Sequence, residues 1–415
     1  MTLRDFHRAG HTPTLLAAFL YFDVSFMVWV ILGPLGPFLG EALHLSPSQT
    51  GFLVAVPLLA GSLLRPLMGA LADRIGCKPT ATMGLVVTLA PLFLGWQFAE
   101  RLEHFFLLGI LLGVAGASFA VALPLASRWY PPEYQGLAMG LAGAGNSGTL
   151  LATLFVPRLA TQFGWQNAFG LAMLPVLAVL VLFMLMARES PAPRPRTGLK
   201  QYGALLREPD TGWFCFFYSI TFGGFVGLAS FLTVFFYGQY GVPKVSAGDL
   251  ATLAVLSGSM LRPVGGWLAD RIGGYRLLLG VYLGAAACVF ALSALPAVTM
   301  AVILLVVTMG LLGLGNGAVF QMVPQRFAAS VGTITGIVGA AGGLGGFFLP
   351  SVLGVIKGAT GSYAIGLALF GGIVSSGFLA LLLLGPFWAR TWSHGAIQRS
   401  GLFSYREWLA SERAY

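Results

Sequence analysis

Charge is what this chain has least of. Only 9% of its 415 residues are Asp, Glu, Lys or Arg, against about 25% in soluble domains. A chain so poor in polar side chains cannot clothe the two or three soluble domains its length would otherwise allow. With 57% hydrophobic residues and a mean hydropathy of +0.84, it belongs in a bilayer, where helices of about 20 apolar residues satisfy their own backbone. Cysteine is scarce as well: Cys77, Cys215 and Cys288 are scattered and give neither a disulfide framework nor a metal-binding spacing. The five histidines all fall in loops or termini. No metal, no cofactor and no hydrolytic triad is therefore expected inside the membrane, and an enzyme is not the expected class. Glycine, by contrast, is plentiful, with 57 copies, which in a membrane serves close helix packing. The formal charge of +9 is dispersed over short loops without a contiguous basic patch, so no nucleic-acid partner is expected.

Twelve apolar runs follow one another, at 14–39, 50–72, 80–98, 104–126, 135–157, 167–187, 212–237, 248–270, 276–295, 299–323, 331–356 and 364–389. The first is too long for a signal-peptide core and lacks a cleavage site, so it reads as a retained span. One long connection interrupts the series. It is the Pro- and charge-rich stretch from Ala187 to Asp210, and it reads as a linker. The expected fold is all-α and integral to the membrane: two pseudo-symmetric six-helix halves, 1–187 and 211–389, joined by a linker at 188–210 and followed by a tail at 390–415. Seventeen Lys and Arg residues fall on the side of the linker and both termini, and four on the other. That bias places both termini in the cytoplasm.

The chain is organised around a repeat. GSLLRPLMGALADRIG, Gly61 to Gly76, returns as GSMLRPVGGWLADRIG, Gly258 to Gly273, with twelve of sixteen positions identical. Each copy sets an arginine, Arg65 or Arg262, inside an apolar helix, eight residues before the aspartate that ends the span. At 1.5 Å per residue both lie about 12 Å in from the cytoplasmic end. Each costs roughly 2.5–3.5 kcal/mol on insertion scales, so an intramembrane arginine is a functional-site hypothesis by default. Of fourteen acidic residues only Asp23 falls well inside a run, Asp249 and Asp270 lying at the two ends of 248–270, which leaves a net positive charge at membrane depth. Arg65 could be held by Asp23 or by backbone carbonyls, with Arg262 turned to a loop. The alternative is that both reach one central cavity for an anion. Arginine's planar fork suits an oxyanion with in-plane acceptors, and it stays charged.

Two glycine stripes accompany the arginines, GLAMGLAGAGNSG (Gly136 to Gly148) in the fifth run and GTITGIVGAAGGLGG (Gly332 to Gly346) in the eleventh. Their small-x-x-x-small spacing lets helices touch backbone to backbone. Simple packing explains the glycines but not Asn146, a polar side chain within the stripe. Phe119 in the fourth run, and Tyr218 and Phe222 at i and i+4 in the seventh, are candidates to bracket the cavity.

The Gly69-x-x-x-Asp73-Arg74-x-Gly76 loop and its copy at Gly266 to Gly273 resemble the loop motif of the major facilitator superfamily. The arginine pair, the GAGNSG and GIVGAAGGLGGFFLP signatures, the GLGNGAVFQM run of the tenth span and the Tyr-x-x-x-Phe of the seventh are together similar to the nitrate/nitrite porter family. That resemblance implies a secondary transporter in a bacterial inner membrane, moving nitrate and nitrite by alternating access. Arg65 and Arg262 would grip the anion, with Asn146 as a polar contact. Phe119, Tyr218 and Phe222 would sandwich the flat ion, while Gly140, Gly143, Gly336, Gly339 and Gly343 would serve packing and closure. Asp23 is the proton-coupling candidate. The reading favours proton symport over nitrate/nitrite exchange, with a porter for another small anion such as formate as a further alternative. The expected partners are the small inorganic anion, protons and lipid, with the chain acting as a monomer.

Overall fold

The computed structural model describes residues 3–191, 199–327 and 330–402. Among these every regular element is helical. Eleven rods among the described residues are long and apolar enough to cross a membrane, from Thr12–Ala42 and Pro47–Ile75 to Ala364–Thr391. The remaining long rod, Lys244–Ile272, has 29 residues, the length of Pro47–Ile75. It is less apolar because it carries Lys244, Asp249, Arg262, Asp270 and Arg271. It is nonetheless the second half's copy of Pro47–Ile75: each packs on the rod that lies two further along the chain, Val298–Arg326 and Leu102–Ser127. The twelve expected runs are therefore twelve spans, six on each side of the linker, most of them a few residues longer than expected. The linker is not all loop, since it contains the helix Leu199–Arg207; its residues 192–198 lie outside the described residues. After the last span comes a short helix, His394–Ser400, and the tail from 403 on also lies outside the described residues.

Four spans are broken near mid-membrane. The first is interrupted at Val30 and Ile31, between Thr12–Trp29 and Leu32–Ala42, and the fourth at Ala117 and Ser118. The fifth tightens into a 3₁₀ turn at Ala144–Ser147, and the seventh widens into a π turn at Ser219–Gly223. Irregular backbone at membrane depth is tolerated where protein covers it, and π turns inside helices are frequent at functional sites. Asn146 lies within the 3₁₀ turn, Phe222 within the π turn, and Tyr218 just before the latter.

The two halves meet tightly at the end opposite the linker. A Cβ on Gly51 would stand 2.6 Å from Pro350 O, and one on Gly354 would stand 2.6 Å from Pro47 O. Only glycine lets the second and eleventh spans approach so closely there. Arg158 of the first half makes a two-pronged ion pair with Asp249 of the second, at 2.6 and 3.0 Å. Lys244 pairs with Glu41, which also accepts from the Tyr237 hydroxyl. At the linker end the halves part around a cavity of about 380 Å³. It runs from Arg65 past Gly69 and Asp73 to Arg128, Tyr202 and Ser330.

Candidate anion-binding site

Arg65 lies deep in the second span, one residue before Pro66. Proline supplies no N–H, so the helix is free to bend at that point. The side chain is 1% exposed. Its Nε donates to Gly116 O of the fourth span at 3.2 Å, and its Nη1 donates to Gly339 O of the eleventh. The guanidinium carbon stands 5.3 Å from the Trp29 ring, 5.2 Å from Phe119 and 5.3 Å from Phe222. Desolvated cation–ring contacts of this kind are worth about 2 kcal/mol each, which offsets part of the cost of burial. Carbonyls and rings hold this cation, not Asp23. Its Nη2 is buried without a hydrogen-bond partner.

Arg262 is placed likewise, one residue before Pro263 in the eighth span. It does not turn to a loop. Its Nη2 donates to the Tyr218 hydroxyl at 3.3 Å, and its guanidinium carbon stands 5.8 Å from the Phe222 ring. Phe222 is thus shared by both arginines. Nη1 of Arg262 is buried and unpartnered. Among the described residues neither arginine has a carboxylate within 4.0 Å. Two guanidinium groups, one from each half, therefore make a positive centre with a free N–H group on each side. Donors and charge in this arrangement can bind an oxyanion.

Around it the expected residues fall unevenly. Phe119 is buried against Arg65. Tyr218 stacks on Phe222 at 5.1 Å and 5°, so the two rings face each other and Tyr218 offers its hydroxyl to the site, not its face. Asn146 is fully buried, with both amide atoms unpartnered. The carboxylate of Asp23 accepts from Ser147 Oγ at 2.6 Å, next to Asn146 in the chain. Gly339 and Gly343 pack at the centre: a Cβ on Gly339 would stand 3.1 Å from Phe119 Cε1, and one on Gly343 would overlap Ser62 Oγ. Gly140, Gly143 and Gly336 depart from the close packing expected of them, because a Cβ there would meet nothing within 4 Å. Gly336 lines the cavity at the linker end, where the halves stand apart.

Sequence reasoning overlooked Trp29 and Ser62, and it quoted Phe320 and Asn316 only as part of the GLGNGAVFQM run, without a role. Trp29 is fully buried, donates to Pro57 O at 2.6 Å and covers Arg65. Phe320 stands 4.7 Å from Tyr218 and 6.3 Å from Phe119, ring to ring, bridging the halves. Among 32 phenylalanines and nine tryptophans no local signal marks these. Asn316 did carry one, as a polar residue inside an apolar run.

Residues 16–350 match the family described as Major Facilitator Superfamily. The fold and this two-sided centre make the chain a membrane transporter of that superfamily. It is 36% identical to the "Probable nitrate/nitrite transporter NarK2" of Mycobacterium tuberculosis, over 87% of this chain and 93% of that protein. It is 32% identical to the "Nitrite extrusion protein" of Bacillus subtilis, over 88% of this chain and 91% of that one. Within the superfamily the chain belongs to the nitrate/nitrite porter family. The crystal structure of the human organic anion transporter MFSD10 shares the fold, with a TM-score of 0.71 over 89% of this chain and 99% of that one, at 15% identity.

Proposed function

We propose that this chain imports nitrate, and accepts nitrite, by alternating access, with the anion held between Arg65 and Arg262. One observation carries the reading: the two buried guanidinium groups flank Phe222, each keeps an unpartnered nitrogen, and neither has a carboxylate for a counter-ion. Two such guanidinium groups favour a small anion over a neutral or cationic substrate. Flat rings from both halves favour a planar one. Asn146, buried with both amide atoms unpartnered, supports a neutral hydrogen-bonding contact to the ion, and Gly339 and Gly343 let the eleventh span close on the second.

The linker end is the cytoplasmic side in this reading, which places both termini inside and the protein in a bacterial inner membrane. The chain is then open inward and sealed outward by the Arg158–Asp249 and Glu41–Lys244 pairs. It works as a monomer, since the whole site comes from one chain.

Coupling follows from charge. Two arginines and one nitrate leave +1, which an ionised Asp23 cancels. Protonating Asp23 in the empty site leaves +2, so proton and anion favour each other's binding, the linkage that a symporter requires. Asp23 accepts from Ser147, the chain neighbour of Asn146, which supports a link between Asp23 and the proposed site. Nitrate/nitrite exchange is the second reading, favoured by the absence of a direct ion pair between Asp23 and either arginine. Labelled-nitrate flux into proteoliposomes separates them. Symport predicts uptake driven by an inward proton gradient without internal nitrite, and exchange predicts uptake only when nitrite is trapped inside.

A further inference from the structure

The repeat fixes a register between the fourth and tenth spans that brings Asn316 into the site. The second and fourth spans meet at Gly61 and Gly113, where a Cβ on Gly113 would stand 2.8 Å from Gly61 N. The eighth and tenth meet at Gly258 and Gly313, where a Cβ on Gly313 would stand 2.8 Å from Gly258 Cα. Gly61 and Gly258 are matching positions of the repeat, so Gly113 and Gly313 match too. Three residues further on, Gly116 then corresponds to Asn316. Gly116 is the residue whose carbonyl accepts from Arg65 Nε. Where the first half offers a backbone carbonyl to its arginine, the second half places a carboxamide.

The packing sets Asn316 at the right depth and on the right face. A Cβ on the next residue, Gly317, would overlap Gly266 N and stand 2.6 Å from Arg262 O, so Asn316 lies beside the turn that Arg262 opens. Four residues on, and so on the same helix face, Phe320 touches Tyr218 and Phe119. Asn316 is 1% exposed, and neither its Nδ2 nor its Oδ1 has a partner. A packing asparagine buried in a helix bundle bonds to a neighbouring backbone or side chain, because an unbonded buried amide is costly. This one does not, and the nearby Arg262 Nη1 is equally unpartnered.

We infer that Asn316 is a binding residue of the anion site, the second half's counterpart to Asn146. Its Nδ2–H donates to the bound oxyanion, alongside the unpartnered Nη1 of Arg262. The inference rests on the proposed nitrate reading and deepens it.

The test uses the full-length protein in detergent, with nitrate titrated by calorimetry and thermal unfolding followed with and without nitrate. Asn316→Ala should weaken nitrate binding about ten- to a hundredfold, as expected for a hydrogen bond to a charged group, without lowering the unfolding midpoint of the nitrate-free protein. Asn316→Ser, which keeps a donor, should fall between, and it carries the comparison where the alanine variant does not fold. Wild-type nitrate affinity in the variant tested overturns the inference, and a lowered nitrate-free midpoint with unchanged affinity assigns the residue to packing and overturns it too. Failure of the wild-type protein itself to bind nitrate overturns the transport reading, and this inference with it.

Discussion

Replacing Arg65 by lysine keeps the charge and removes the fork. In the structure the guanidinium spends Nε on Gly116 O and Nη1 on Gly339 O, and keeps Nη2. One ammonium nitrogen cannot reach a carbonyl of the fourth span and one of the eleventh and still point a third hydrogen at the anion in the plane that a fork sets. The variant must give up at least one charge-assisted hydrogen bond, worth about 1.5–3 kcal/mol. It also weakens contacts with the Trp29, Phe119 and Phe222 rings, at about 0.5–2 kcal/mol each. A total loss of about 2 kcal/mol or more corresponds to about thirtyfold or more in Kd. Arg262 makes one hydrogen bond and one ring contact, so Arg262→Lys should be hurt less. Calorimetric nitrate titration of both variants, with the unfolding midpoint as control, reads this order directly. Nitrate affinity within about threefold of wild type in a folded Arg65→Lys protein would refute the shared-grip reasoning.

Asp23→Asn should abolish proton-driven uptake while leaving nitrate binding measurable, because the linkage needs a group that changes charge; full gradient-driven uptake in this variant would assign Asp23 to structure alone. Gly343→Leu should fail by colliding with Ser62, an overpacking cost of about 1–3 kcal/mol, and appears as a lowered unfolding midpoint. Gly143→Leu and Gly336→Leu meet open space in this conformation; they should bind nitrate normally yet lose flux, and normal flux would show that neither face closes. Arg158→Glu places two carboxylates together at the outer seal. Because exposed pairs contribute only about 0.2–1 kcal/mol, it should shift the population outward by a few-fold, measured by accessibility of an engineered outer cysteine, and the swap with Asp249→Arg should restore it.

Much of this was legible because a bilayer leaves a chain few options. Eleven spans follow from apolar run length, and the eighth, Lys244–Ile272, is recognisable despite five charged residues because it repeats the second. The arginines stood out because nothing apolar explains them. What holds Arg65 was not legible: Gly116 and Gly339 act through their carbonyls, and a carbonyl leaves no mark on residue type. The breaks at Ala144–Ser147 and Ser219–Gly223 were hidden for a similar reason, since a mid-membrane 3₁₀ or π turn keeps the same apolar composition as an α-helix. Tyr218 and Phe222, read as i and i+4 neighbours bracketing an ion, stack on each other across the start of the π turn. The glycine stripes mixed two uses. Gly339 and Gly343 pack at the centre, whereas Gly140, Gly143 and Gly336 face open space in this state, and spacing alone does not tell those uses apart.

The most direct measurement is uptake of isotope-labelled nitrate by wild-type protein in proteoliposomes, with nitrite, formate and acetate as competitors. Saturable uptake that nitrite competes and the carboxylates do not, lost when both Arg65 and Arg262 are lysine, is the expected result. Uptake no faster than in protein-free vesicles, or inhibited equally by acetate, would contradict a planar-oxyanion site between the two arginines.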